Sequence, residues 1–225
     1  MKKINLHSKS ISTITVLLTL LITAAFILRE GSLKGKIVCF GDSITHGAFV
    51  EGNGWVEQLG KKSDDIITVN AGRNGRKTSD KNELPPVIEK NKDADYFLFF
   101  LGVNDLKDGT DSMVTACINN MQWMIEQVKK NIPKAKIVLI APCGINLKDM
   151  SEINQKKKYN ENTAASLINL EEGYKNLAEK EKVGFISLLN TVSPQNYVDG
   201  LHPNAKGQKE IADKIWVDLN KIYSK

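Results

Sequence analysis

Five short apolar runs punctuate the chain, at residues 36–40, 66–70, 96–101, 136–141 and 183–188. Their length and nearly unbroken hydrophobicity predict strands buried inside a sheet. Between them, apolar positions recur with the period of a helix. Residues 113–132 place Val114, Cys117, Met121, Met124, Val128 and Ile132 on one stripe. Residues 159–182 do the same with Ala164, Leu167, Tyr174, Leu177 and Ala178, and residues 208–223 with Ile211, Ile215, Leu219 and Ile222. Strands that alternate with helices run parallel and are joined by right-handed crossovers. The pattern therefore predicts a three-layer α/β/α sandwich around a five-stranded parallel sheet, one domain over residues 33–225 without internal repeats.

In an open parallel sheet, ligands bind beyond the carboxyl ends of the strands. The residues that follow each run are thus the ones to read for chemistry. They are Gly41-Asp42-Ser43, the stretch Asn70-Ala71-Gly72-Arg73-Asn74-Gly75, Gly102-Val103-Asn104-Asp105, Pro142-Cys143-Gly144 and, past the fifth run, Asp199-Gly200-Leu201-His202-Pro203. Gly-Asp-Ser is a common turn; it is also a place where a serine stands clear of a sheet edge.

A serine hydroxyl becomes a useful nucleophile only when a base takes its proton, and near neutral pH that base is usually histidine. The chain has three histidines. His7 lies in the N-terminal segment, and His46 follows Ser43 by three residues, awkwardly placed to reach it in line with an acid. His202 has Asp199 three residues before it. An aspartate there can accept the Nδ1 proton and turn Nε2 toward Ser43, although Asp-x-x-His before a proline is also a common helix start. Donors for a developing oxyanion are available in the Gly75 amide and the Asn104 side chain. A tight turn for Gly75 and a turn or cap for Asn104 are the plain alternatives. Four such features in order at strand ends predict acyl transfer by Ser43, His202 and Asp199, with no metal or cofactor.

The set "GDSITHG", "NAGRNG", "GVND" and "DGLHP" resembles the SGNH (GDSL) hydrolases, a superfamily of serine esterases and lipases, over most of the chain from Lys36 to Ile222. The resemblance implies a flavodoxin-like α/β fold, the nucleophile at Ser43, the base and its acid at His202 and Asp199, and an oxyanion hole of the Ser43 amide, Gly75 and Asn104. Gly72 competes with Gly75 for the glycine position; the spacing from Asn70 favours Gly75. Asp42 is expected to fix the loop. The "GNGWVEQL" segment is similar to the carbohydrate acetylesterase branch, where a Gly-Trp pair opens the first helix; Trp55 is read as core in preference to a sugar platform. These likenesses imply hydrolysis of short acyl esters, acetyl above all, on a glycan. Lysophospholipase or thioesterase action, acyl transfer to another acceptor, and glycan binding without turnover stay open as alternatives.

The N-terminal residues alter where this chemistry is expected. "MKKINLHSKS" is basic, and residues 11–28 carry no charge; as a helix they span roughly 27 Å, close to the hydrocarbon thickness of a bilayer. Residues 1–30 read as a signal peptide cleaved near Thr23-Ala24-Ala25 or as an uncleaved anchor. The apolar continuation through Phe26-Ile27-Leu28 favours the anchor, basic end in the cytoplasm. Either places the catalytic domain outside the cytoplasm, where acyl-CoA is an unsuitable substrate. The formal charge of +5 owes much to this segment: beyond residue 30, 27 basic side chains face 25 acidic ones, which gives no nucleic-acid footprint. The Lys156-Lys157-Lys158 run reads as a solvated loop or helix start. Cys39, Cys117 and Cys143 form no disulfide framework and read as small buried hydrophobes. Nothing in the sequence addresses oligomeric state.

Overall fold

The computed structural model describes residues 33–223. The predicted N-terminal segment, residues 1–30, lies outside them; among the described residues, no helix is long and apolar enough to cross a membrane. Five strands, β1 (Gly35–Gly41), β2 (Ile66–Gly72), β3 (Tyr96–Phe100), β4 (Lys136–Ala141) and β5 (Gly184–Ser187), form one parallel sheet in the order β2-β1-β3-β4-β5. Seven α-helices accompany them among the described residues: α1 (Ser43–His46), α2 (Trp55–Gly60), α3 (Leu84–Lys90), α4 (Asp111–Asn131), α5 (Glu152–Lys156), α6 (Glu161–Glu181) and α7 (Ala205–Tyr223).

The runs are apolar because the inner strands are covered on both faces. Phe97, Leu98, Phe99 and Phe100 of β3 are all fully buried, with Phe40 of β1 edge-on to Phe99. Helices α4 and α6 pack together, with α6 against β4 and β5, and α2 and α7 pack together, with α2 against β2. The stripes Val114/Cys117/Met121/Met124/Val128 and Ile211/Ile215/Leu219 are the buried faces of α4 and α7. Asn160 and Thr163 close a capping box at the start of α6, which satisfies backbone donors that the helix itself leaves unpaired.

From β1 the chain crosses outward to β2, then returns past β1 to β3. That reversal opens a crevice at the carboxyl ends of β1 and β3. Ser43 follows β1, Gly75 follows β2 and Asn104 follows β3, so the sheet order itself gathers them.

Local expectations are partly met and partly changed. Trp55 is fully buried against Phe100, its amide donating to Gln208 at 2.9 Å, and is therefore core. Lys156 ends a helix where the basic run was read as a loop or a helix start, because Ser151 caps α5 just upstream. Cys143 lies beyond the end of β4. All three cysteines are free and buried; burial raises each thiol, Cys143 to about 12, which leaves them protonated.

Candidate active site

Ser43 is the first residue of α1, where the strand stops and the chain turns sharply. Asp42 caps this turn, its Oδ1 accepting the Ile44 amide at 2.9 Å. Gly47 ends the turn with φ +85, a left-handed conformation that glycine adopts without a Cβ clash. The Ser43 side chain, nearly buried, meets His202: Oγ to Nε2 is 3.0 Å.

His202 is positioned by its own loop. Asp199 Oδ1 accepts the backbone amides of Leu201 at 3.1 Å and His202 at 2.8 Å, and Oδ2 lies 2.9 Å from His202 Nδ1. A carboxylate can only accept there, so Nδ1 carries the proton and the Nε2 lone pair faces Ser43. The Asp199 carbonyl accepts from the Ser151 amide and the Asn154 side chain, which ties the loop to α5. Gly200 is required between them: its φ is +79, and a Cβ would lie 2.6 Å from the Asn146 carbonyl oxygen. Burial opposes ionisation of Asp199, but the hydrogen bonds and charge of His202 outweigh it and hold the carboxyl well below the usual range.

Asn104 is oriented by partners on both sides of its amide. Tyr159 donates its hydroxyl to Oδ1 at 2.6 Å, and Nδ2 donates to the Arg76 carbonyl at 3.2 Å. An amide nitrogen has two hydrogens, which leaves one for the crevice. Gly75 also faces it, with φ +74 and open space where a side chain would stand. The competing glycine does not: a Cβ on Gly72 would lie 2.2 Å from the His46 nitrogen, and its amide donates to Asn70. Among the described residues, no acceptor takes the Ser43 or Gly75 amide. His46 is exposed at the end of α1 and, among the described residues, makes no side-chain hydrogen bond to Ser43, whose Oγ meets His202.

Ser43, Gly75, Asn104 and His202 therefore line one cavity of about 260 Å³. A larger, mostly apolar groove of about 700 Å³ between Gly144, Ile168, Leu189 and Tyr197 contains none of them.

Sequence reasoning missed four supports. Tyr159 orients Asn104. Buried Arg76 donates to the carbonyls of Gly41 and Ala71 and pairs with Glu83, which joins the ends of β1 and β2. The Asp105 carboxylate accepts the Thr78 amide and hydroxyl and so pins the loop that carries Gly75. Phe49 stands 5.2 Å from the His202 ring, edge to face, although its φ of +69 is strained for an aromatic residue. None had a spacing signal; each acts across the fold.

Asp42 supplies a testable electrostatic signature. Its Oδ2 has no partner, and burial pushes the carboxyl up to about 7 against the pull of the Ile44 amide and His202. The folded state thus holds a proton that the unfolded chain releases above the ordinary aspartate pKa near 4. The contribution of Asp42 to stability is therefore expected to fall as pH rises from about 4 to about 7, by up to ~1.4 kcal/mol per unit, and then level off. Thermal melts of Asp42→Asn against wild type should show this decline removed in the variant; parallel pH profiles would contradict it.

Comparison with known proteins then decides the class. The family model for GDSL-like Lipase/Acylhydrolase matches residues 39–210. The chain belongs to that family. It is an ester-hydrolysing serine hydrolase. A search of curated proteins returned no match. Among solved structures, the hydrolase is similar to Est24, a carbohydrate acetylesterase from Sinorhizobium meliloti, at 20% identity and TM-score 0.72 over 84% of this chain and 100% of that one. The M. smegmatis aryl esterase superposes with TM-score 0.73 at 21% identity, covering 84% and 99%. The acetyl xylan esterase AlAXEase does so at 0.65 and 22%, covering 81% and 98%. At these identities the likeness is one of fold.

Proposed function

We propose that the hydrolase removes short acyl groups, acetyl first among them, from a carbohydrate outside the cytoplasm, using Ser43, His202 and Asp199. Ser43 Oγ attacks the ester carbonyl as His202 Nε2 takes its proton. The oxyanion is held by the Ser43 and Gly75 amides and by Asn104 Nδ2. His202 then protonates the departing alcohol, and later takes a proton from the water that releases the acyl group. Asp199 keeps the imidazole in the required tautomer and stabilises its charged form.

The observation that carries this reading is the 3.0 Å approach of Ser43 Oγ to His202 Nε2, with His202 Nδ1 on Asp199. The small cavity supports a short acyl group. The carbohydrate substrate is supported by two fold neighbours, a carbohydrate acetylesterase and an acetyl xylan esterase. The location is supported by the basic start and the uncharged residues 11–28. Full-length protein assayed on 4-nitrophenyl acetate, butyrate and octanoate and on acetylated xylan should release acetate from the polysaccharide and favour the acetyl aryl ester. Preference for octanoate without acetate release from xylan would contradict it. Mass spectrometry of the mature N-terminus separates cleavage near Ala25 from retention of the whole segment.

The oxyanion assignment has a graded test. Asn104→Ala is expected to lower kcat by about 10²–10³-fold. Tyr159→Phe keeps the ring but strips Asn104 Oδ1 of its donor, so the amide is free to turn. A drop in kcat of about tenfold, with KM nearly constant, corresponds to one lost buried hydrogen bond. Equal kcat for wild type and both variants would remove Asn104 from the mechanism.

A further inference from the structure

The catalytic cavity is lined by two lysines, Lys107 and Lys157, and by no carboxylate. Lysines at a protein surface commonly find an acidic neighbour, and those beside Lys157 do: Lys156 pairs with Glu152, and Lys158 with Asp108. Lys157 itself, which lines the cavity, has no ion-pair partner among the described residues, nor does Lys107 or the nearby Lys77. Lys107 is half-buried, its ammonium 5.3 Å from the centre of the Tyr159 ring, the same ring whose hydroxyl orients Asn104. Burial, with the like charges of Lys77 and Lys157, pulls the Lys107 ammonium below the usual lysine value. The Asp105 carboxylate, which is held by Thr78 and does not line the cavity, offsets part of this charge. Like charges that line a cleft in excess raise the local concentration of an anionic ligand.

We infer that the ester hydrolysed at Ser43 carries an anionic group, a carboxylate or a phosphate, on its alcohol portion, bound by Lys107 and Lys157. This rests on the esterase reading above and narrows its substrate class to acidic glycans or their like. An acetyl group carries no charge, so the charge belongs to the alcohol. Lys107 and Lys157 line the cavity that holds Ser43 and Asn104, so the alcohol portion is the part of the substrate they can meet. Each exposed ion pair contributes modestly, so the preference for an anionic ester is expected to be about fivefold in KM per lysine at low salt. It should decline as salt screens the charges.

Three aryl acetates of similar shape provide the test: 4-acetoxybenzamide, neutral, 4-acetoxybenzoate, a carboxylate, and 4-acetoxyphenyl phosphate. With full-length protein, one or both anionic esters should show a KM at least several-fold below that of the amide, and which one does so identifies the anion. Raising sodium chloride from 20 to 500 mM should shrink the ratio in wild type. In Lys107→Gln/Lys157→Gln the KM ratio between anionic and neutral esters should fall toward one. Equal KM for all three esters in wild type, or a preference indifferent to salt, would overturn the inference while leaving the esterase intact. No hydrolysis of any ester would overturn both.

Discussion

Asp199→Asn is expected to lower kcat by about 10⁴-fold while the protein remains folded, the size of effect that an Asp-to-Asn change produces in a Ser-His-Asp site. The reason lies in how the two carboxylate oxygens are used. Oδ1 accepts the amides of Leu201 and His202, and an asparagine carbonyl can keep both bonds. Its nitrogen then takes the position of Oδ2, 2.9 Å from His202 Nδ1. That nitrogen donates and so opposes the Nδ1 proton, which keeps only the more distant Oδ1, 3.1 Å away, as acceptor; the tautomer with the proton on Nε2 is favoured instead. In that tautomer the ring keeps its position but cannot take a proton from Ser43. Circular dichroism should be unchanged, and KM should change far less than kcat, since the lost interaction matters most in the transition state. A loss below tenfold would show that Asp199 has no part in orienting the base.

Ser43→Ala is expected to be more severe, with kcat reduced by about 10⁴–10⁶-fold. The hydroxyl's hydrogen bond among the described residues is to His202, so the core should be insensitive to its removal. The Ser43 and Gly75 amides remain, and residual turnover above the uncatalysed rate is therefore expected from the oxyanion hole alone. Doubling the variants is informative: Ser43→Ala with Asp199→Asn should be little slower than Ser43→Ala, because Asp199 acts through the same proton transfer. Additive losses would mean the two residues serve separate steps.

Much of the fold was legible because its signals are local. Apolar runs located all five strands, and the long helices α4, α6 and α7 begin and end within three residues of their periodic stretches. The short elements were not legible. Helices α1 and α2 have too few residues to display a period, and Leu84-Pro85-Pro86 reads as a break although prolines are tolerated in a helix's first turn, as in α3. The site divides along the same line. Asp199 and His202 are three residues apart, and Ser43 and Asn104 sit directly after strands, so order along the chain exposed them. Tyr159, Arg76 and Asp105 act through partners 55, 35 and 27 residues away, and Gln208 reaches Trp55 from 153. Such contacts exist only once the sheet order has brought distant loops together. Gly72 and Gly75 differ for a similar reason. Gly72 ends β2 and Gly75 follows it, but only the folded chain presses Gly72 against α1 and leaves Gly75 open.

The role of Ser43 as nucleophile is open to labelling: full-length protein is incubated with phenylmethylsulfonyl fluoride and digested for peptide mass spectrometry. A single sulfonyl adduct is expected on the peptide containing Ser43, formed in step with loss of esterase activity, and no adduct in Ser43→Ala. An adduct on another serine that tracks the loss of activity, or inactivation of Ser43→Ala at the wild-type rate, would contradict it.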